Sequence, residues 1–187
     1  MLTGGRSASQ LYAAWAPMLA ATDWQGMLHF YFGDERCVPP EDPDCNYRVA
    51  ITTLFPQGVP ASMFVHRIEA ERADADAVAR RYQDRLPERI DIVLLSMGDD
   101  GHIASLFPFG AGLHETMRRV LPVIGSKLPA LRITITPLVL RGAREIFVMA
   151  IGEQKRALYT RLRENEVDID TFPARLVLGG TWIFGGA

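Results

Sequence analysis

A histidine two residues from a carboxylate, placed directly after an apolar run, has the makings of a general base. Residues 97–108, MGDDGHIASLFP, carry this combination. Gly98 and Gly101 permit a sharp turn where the apolar run IDIVLLSM (90–97) ends, and Asp99, Asp100 and His102 emerge at that turn. A carboxylate beside an imidazole fixes its tautomer and stabilises the imidazolium left by proton abstraction. The same spacing also fits a plainer arrangement, with Asp100 capping a helical turn and His102 an ordinary loop residue. Spacing alone leaves both readings open. The remaining histidines are His29, His66 and His114. His29 lies within one strand-like run and His66 in another, so His102 is the imidazole best placed for chemistry.

Three other segments put polar groups just beyond an apolar run or at a helix start. GDER (33–36) follows MLHFYF, with Asp34 nearest the strand end and expected to face a cleft. Arg36 is a candidate to stabilise an oxyanion or to hold a carboxylate or phosphate. Glu35 is expected in a solvated turn, paired locally with arginine. GGRS (4–7) precedes a helix, where open N–H groups of Gly5, Arg6 and Ser7 form a weak signal for an anion site. Arg132 opens a strand. Lys155 sits in the first turn of a helix, where a cation gains nothing from the macrodipole, and this favours a bound anion beside it. Lys155 is one of only two lysines, with Lys127, among 20 basic residues. So marked a preference for arginine directs attention to both.

Several classes of protein are disfavoured. No metal is expected, because Cys37 and Cys45 have no companions at zinc-ligand spacing. Neither G-x-S-x-G nor G-x-x-x-x-G-K-[ST] occurs. With 20 basic and 22 acidic residues, the chain lacks the basic excess of a nucleic-acid binder. No apolar run approaches the roughly 18 residues of a membrane span. Two cysteines imply no disulfide framework, and the expected compartment is the cytoplasm.

The elements that must position these residues follow from periodicity. Helices are expected over about 7–21, 73–86 and 153–165, and one from Asp44 or Asn46, either of which is a candidate cap, towards Leu54. Strands are expected at 27–32, 64–68, 90–97, 119–125, 132–136 and 145–152, and PLVLRGAR reads as helical. Such alternation indicates one α/β domain over residues 1–187, an open, mostly parallel sheet flanked by helices. Ligands of such sheets bind beyond the carboxyl ends of the strands.

The segments TGGRSASQLY (3–12), FYFGDERCVPPEDPDCNYRVA (30–50), LLSMGDDGHIASLFP (94–108), RITIT (132–136) and VMAIGEQKRALY (148–159) together resemble the 6-phosphogluconolactonase family. That family lies within the larger group containing glucosamine-6-phosphate deaminase. GDER with VPP and NYR, together with DGHIASLFP, is the most specific pair. The resemblance implies hydrolysis of 6-phospho-D-glucono-1,5-lactone to 6-phosphogluconate in the oxidative pentose phosphate pathway, with no metal or cofactor. It implies His102 as the base that activates water, Asp100 as its orienting partner, Arg36 near the oxyanion or ring oxygen, and Asp34 shaping the pocket. The phosphate is expected on Gly5, Arg6 and Ser7 with Arg132 and Lys155, and Ser105 is a further polar contact. The partner is then a small phosphorylated sugar lactone. Alternatives are a glucosamine-6-phosphate deaminase or isomerase-like enzyme, against which Ser-Leu-Phe-Pro argues, and a non-catalytic sugar-phosphate-sensing domain.

Against the family pattern, Arg6 stands where Ser or Thr is usual, Cys45 for a serine and Ser96 for a glycine. The N-terminal strand and the helix opening the family fold are expected to be truncated, leaving a groove in the sheet beside the Gly-Gly loop.

Overall fold

The computed structural model describes residues 1–164 and 168–185. In chain order the regular elements are α1 (Arg6–Ala21), β1 (Leu28–Tyr31), β2 (Asp34–Arg36), α2 (Asn46–Thr53), β3 (Met63–His66), α3 (Ala75–Arg85), β4 (Ile92–Ser96), β5 (Val120–Ile124), β6 (Leu131–Ile135), α4 (Pro137–Gly142), β7 (Glu145–Ile151), α5 (Glu153–Glu164) and β8 (Thr181–Gly185). Each predicted helix and strand is present within a few residues of its expected bounds. Residue 165 of the predicted helix over 153–165 lies outside the described residues.

The parallel part of the sheet consists of β1 beside β3, and of β4, β7 and β8 side by side. Met1 and Leu2 join these two groups. Leu2 N–H donates to Tyr31 O (2.6 Å), Gly33 N–H donates to Leu2 O (2.9 Å), and Leu94 N–H donates to Met1 O (3.0 Å). On the β4 side the Met1 nitrogen donates to Ile92 O (2.5 Å). The position expected to lack its strand is therefore held, at the carboxyl end, by residues 1–2. Leu2 is 1% exposed there.

β2, β6 and β5 form an antiparallel sheet that continues from β1 through Gly33, whose carbonyl accepts from Ile135 N–H (2.9 Å). GDER reads as loop in the sequence, but its last three residues are strand β2 because they pair with Thr134, Ile133 and Arg132 of β6. Helix α3 packs against β5 and β6, α5 against β7, and α1 against α2.

Two tyrosines tie off strand ends where parallel pairing stops. The Tyr12 hydroxyl donates to Thr3 O (2.7 Å) and accepts from Thr3 N–H (3.0 Å). The Tyr82 hydroxyl donates to Phe32 O (2.9 Å) and accepts from Phe32 N–H (2.6 Å). Both side chains are buried, and burial pushes both phenols above their ordinary range. Each tyrosine satisfies a donor and an acceptor that would otherwise be orphaned in the core. Thr3 leads into the Gly-Gly loop and Phe32 into GDER, so these bonds place the two segments that reach the site. Leu2, Phe32, Leu95, Met97, Ile103, Ile133 and Ile135, each at most 1% exposed, fill the interior beneath it. Burial of side chains this size is worth roughly 1.5–3 kcal/mol each.

Candidate active site

A cavity of about 620 Å³ opens beyond the carboxyl ends of the parallel strands. That volume suits a small ligand. Its walls come from the Gly-Gly loop and α1, from β2, from the turn after β4, from the β5–β6 connection with β6, and from the start of α5.

The turn after β4 folds back on itself. Gly98 N–H donates to His102 O (2.9 Å) and Gly101 N–H to Gly98 O (3.1 Å). A Cβ on Gly98 would lie 2.1 Å from the His102 ring, so only glycine admits the imidazole at this place. His102 Nδ1 and Asp100 Oδ1 form a short hydrogen bond. With Asp100 ionised, Nδ1 carries the proton and Nε2 is left as the basic nitrogen. Burial opposes ionisation of Asp100. The hydrogen bond from His102, with the charges of His102 and Lys127, overrides it and holds the carboxyl at about 2. Phe107 backs the imidazole, with ring centroids 4.7 Å apart. Asp100 thus bonds to the His102 ring and does not serve only as a cap.

β2 supplies Asp34 and Arg36. Asp34 is 5% exposed, and its Oδ2 accepts from the Ser105 hydroxyl (2.6 Å). The Asn46 amide donates to the Asp34 carbonyl (2.9 Å) and to its Oδ1 (3.3 Å). The resemblance places Ser105 against the ligand, but its side chain is buried and committed to Asp34, and it does not line the cavity. Arg36 Nη1 donates to Asp44 O (2.6 Å), while its Nε–H, which is buried, has no partner among the described residues. Register places Arg36 directly opposite Arg132 across β2 and β6. Like charges opposed on neighbouring strands are destabilising, and a bound anion relieves that repulsion. Arg132 is 4% exposed; burial, then Arg36, lowers its pKa from the usual value. Its guanidinium lies over the Phe107 ring at 5.3 Å and donates to Pro129 O (2.9 Å) and Lys127 O (3.2 Å).

The Gly-Gly loop opens α1 with no side-chain cap and no acidic residue in the first turn. Gly5, Arg6 and Ser7 line the cavity, as does half-buried Lys155 from the first turn of α5. Burial lowers the Lys155 pKa; Asp99 works against that shift, and Arg6 and Lys127 add to it. Uncapped N–H groups beside this group of cations make a strongly positive wall, the kind of surface that attracts an anion.

Glu35 corrects a sequence expectation. It is not a solvated turn residue but is 1% exposed and caps α2 from a distance. Its Oε1 accepts from Arg36 N–H (2.9 Å) and Asn46 N–H (2.7 Å), its Oε2 from Tyr47 N–H (2.8 Å), and Cys45 Sγ stands 3.5 Å from Oε2. Neither Asp44 nor Asn46 caps that helix with its own side chain. Burial raises the Glu35 pKa to about 7, against the pull of the three N–H donors. Asn46, buried and outside the cavity lining, supports the site from behind, which spacing does not single out. It crosses to the Gly-Gly loop, where a Cβ on Gly4 would lie 2.0 Å from its Oδ1.

Fold and site together define a class: a mostly parallel α/β protein with a small-molecule cavity lined by cations and a histidine–carboxylate pair at the strand ends. The profile for glucosamine-6-phosphate isomerases/6-phosphogluconolactonase matches residues 1–184, and the chain belongs to that family. It is 38% identical over 173 residues to a 6-phosphogluconolactonase of Streptomyces coelicolor, covering 83% of this chain and 66% of that protein. With a 6-phosphogluconolactonase of Synechocystis sp. it shares 31% identity, covering 94% of this chain and 75% of the relative. The chain thus spans about two thirds to three quarters of these relatives' lengths. The crystal structure of a 6-phosphogluconolactonase from Leishmania guyanensis superposes with a TM-score of 0.82 at 26% identity, over 99% of this chain and 81% of the other.

Proposed function

We propose that the chain hydrolyses 6-phospho-D-glucono-1,5-lactone to 6-phosphogluconate, as a metal-independent cytoplasmic enzyme of the oxidative pentose phosphate pathway. One observation carries this reading: the Asp100–His102 pair opens into the same cavity as Arg36, Arg132, Lys155 and the start of α1. A general base and an anion cradle within one small-molecule cavity suit a phosphorylated ester.

The phosphate rests on the N–H groups of Gly5, Arg6 and Ser7 with Arg132 and Lys155, and orients the lactone. His102 Nε2 takes a proton from water as its oxygen bonds to the lactone carbonyl carbon. Asp100 keeps the imidazole in the required tautomer and stabilises the imidazolium. Arg36, with its free Nε–H, faces the oxyanion of the tetrahedral intermediate. That intermediate collapses by breaking the bond from the carbonyl carbon to the ring oxygen, and His102 returns its proton to the departing ring oxygen. The products are a carboxylic acid, which ionises, and a free hydroxyl. Asp34, held by Ser105 and Asn46, fixes the wall on which Arg36 stands.

Proton release from freshly made lactone, corrected for spontaneous hydrolysis, tests this directly. His102→Ala should lower kcat by about a hundredfold or more, in line with loss of a positioned general base. Equal rates for the two proteins would reject the assignment.

A further inference from the structure

Lys127 enters above only as a nearby charge, yet its position is specific. The chain has two lysines, and both line the cavity. Lys127 sits on the connection between β5 and β6, facing the turn after β4. Its Nζ lies 3.9 Å from Asp100 Oδ1, the same oxygen that holds His102 Nδ1. The connection is itself moored to the anion site, because Arg132 donates to the carbonyls of Pro129 and Lys127.

We propose that Lys127 is a positioning residue of this reaction, keeping the Asp100–His102 pair in its base-competent state. The proposal rests on the lactonase reading above. An unneutralised Asp100 would draw a proton onto the neighbouring imidazole and remove the base. The Lys127 ammonium offsets part of that charge while leaving Asp100 anionic, able to accept from Nδ1 and to orient the ring. Its contribution to the low pKa of Asp100 has the same sign. A lysine suits this role because it acts as a point charge. The side chain is 49% exposed, which leaves it free to keep this contact as the cavity fills.

The other charged groups facing His102 across the cavity are Asp34 and Arg36 from β2, Arg132 from β6, Glu153 and Lys155 from α5, Arg6 from α1, and Asp99 from its own turn. Changing Lys127 leaves these side chains in the sequence but removes one of the cations that lower the Lys155 pKa.

The test is the pH profile of kcat/KM for the wild type, Lys127→Ala and Lys127→Arg. In Lys127→Ala the acid limb should move to higher pH by about half to one unit, the size of one partly screened charge at this range. Well below the limb that amounts to an approximately three- to tenfold loss, which narrows as the pH rises. Lys127→Arg should return the limb towards the wild-type position. A uniform loss at every pH, an unmoved limb, or an arginine variant that behaves like alanine would overturn the proposal. A wild type no faster than spontaneous hydrolysis would instead overturn the lactonase reading, and this proposal with it.

Discussion

Glu35 and Asp100 each follow a strand, a glycine and a second aspartate, in Gly-Asp-Glu and Gly-Asp-Asp, yet the two carboxylates are used in opposite ways. Glu35 is sealed from solvent, surrounded by neutral N–H donors, and pushed up to about 7 by burial. Asp100 is a third exposed, beside an imidazole and an ammonium, and is held at about 2. The first satisfies the open end of α2 and holds the backbone of Arg36, Asn46 and Tyr47 in place. The second holds the His102 imidazole at the edge of a cavity. Neutral donors in a dry interior make a carboxylate a fastener, whereas nearby cations at a wet edge keep it ionised and able to orient an imidazole.

If that contrast holds, the largest effect belongs to Asp100→Asn. It should lower kcat/KM by about a hundredfold or more while moving the melting temperature by no more than a couple of degrees, as seen by lactone hydrolysis and thermal unfolding. A collapse of stability would place Asp100 with Glu35 and erase the distinction. Glu35→Ala comes next and should act on stability. Three N–H groups lose their buried acceptor, costing about 3 kcal/mol or more, or roughly 6–12 °C in melting temperature for a chain of this size. A variant that melts like the wild type but has lost activity would reverse the assignment.

The smallest effect is the pH dependence, where the two groups have opposite signs. Glu35 is raised from 4.5 to about 7, so its contribution to stability is full below pH 4.5 and is lost as the pH rises through 7. Asp100 is lowered from 3.8 to about 2, so its contribution is present above pH 3.8 and is lost as the pH falls through 2. Glu35→Gln should therefore flatten the stability profile between pH 4.5 and 7 and leave the acid end as it was. Urea unfolding at a series of pH values measures both slopes, and an unchanged slope between pH 4.5 and 7 would show that Glu35 is not the group responsible.

What can be read in advance differs between the two regions for the same reason. Asp100 and His102 are two residues apart, so their pairing is local and visible in DGH. The partners of Glu35 lie at 45–47, and nothing in the spacing says that the chain returns there; hence the sequence presents it as a solvated turn residue. Ser105 misleads in a similar way. The family resemblance sets it against the ligand, but the chain buries it against Asp34, 71 positions away. Strand β2 escapes a sequence reading because three charged residues carry no strand pattern of their own. Pairing with β6 makes them a strand.

The sequence by itself determined the α/β alternation, the turn that exposes His102, the uncapped start of α1, and the two lysines that stand out among arginines. These are local properties, set by periodicity, by glycine and by near-neighbour chemistry. Only the tertiary structure decided which charges meet. It set Arg36 opposite Arg132, brought Lys127 to Asp100, sealed Glu35 beneath α2, and placed Met1 and Leu2 between β1 and β4. Electrostatic and hydrogen-bond energies depend on distances of a few ångströms and on exclusion of water. Chain order fixes neither until the strands have chosen their neighbours.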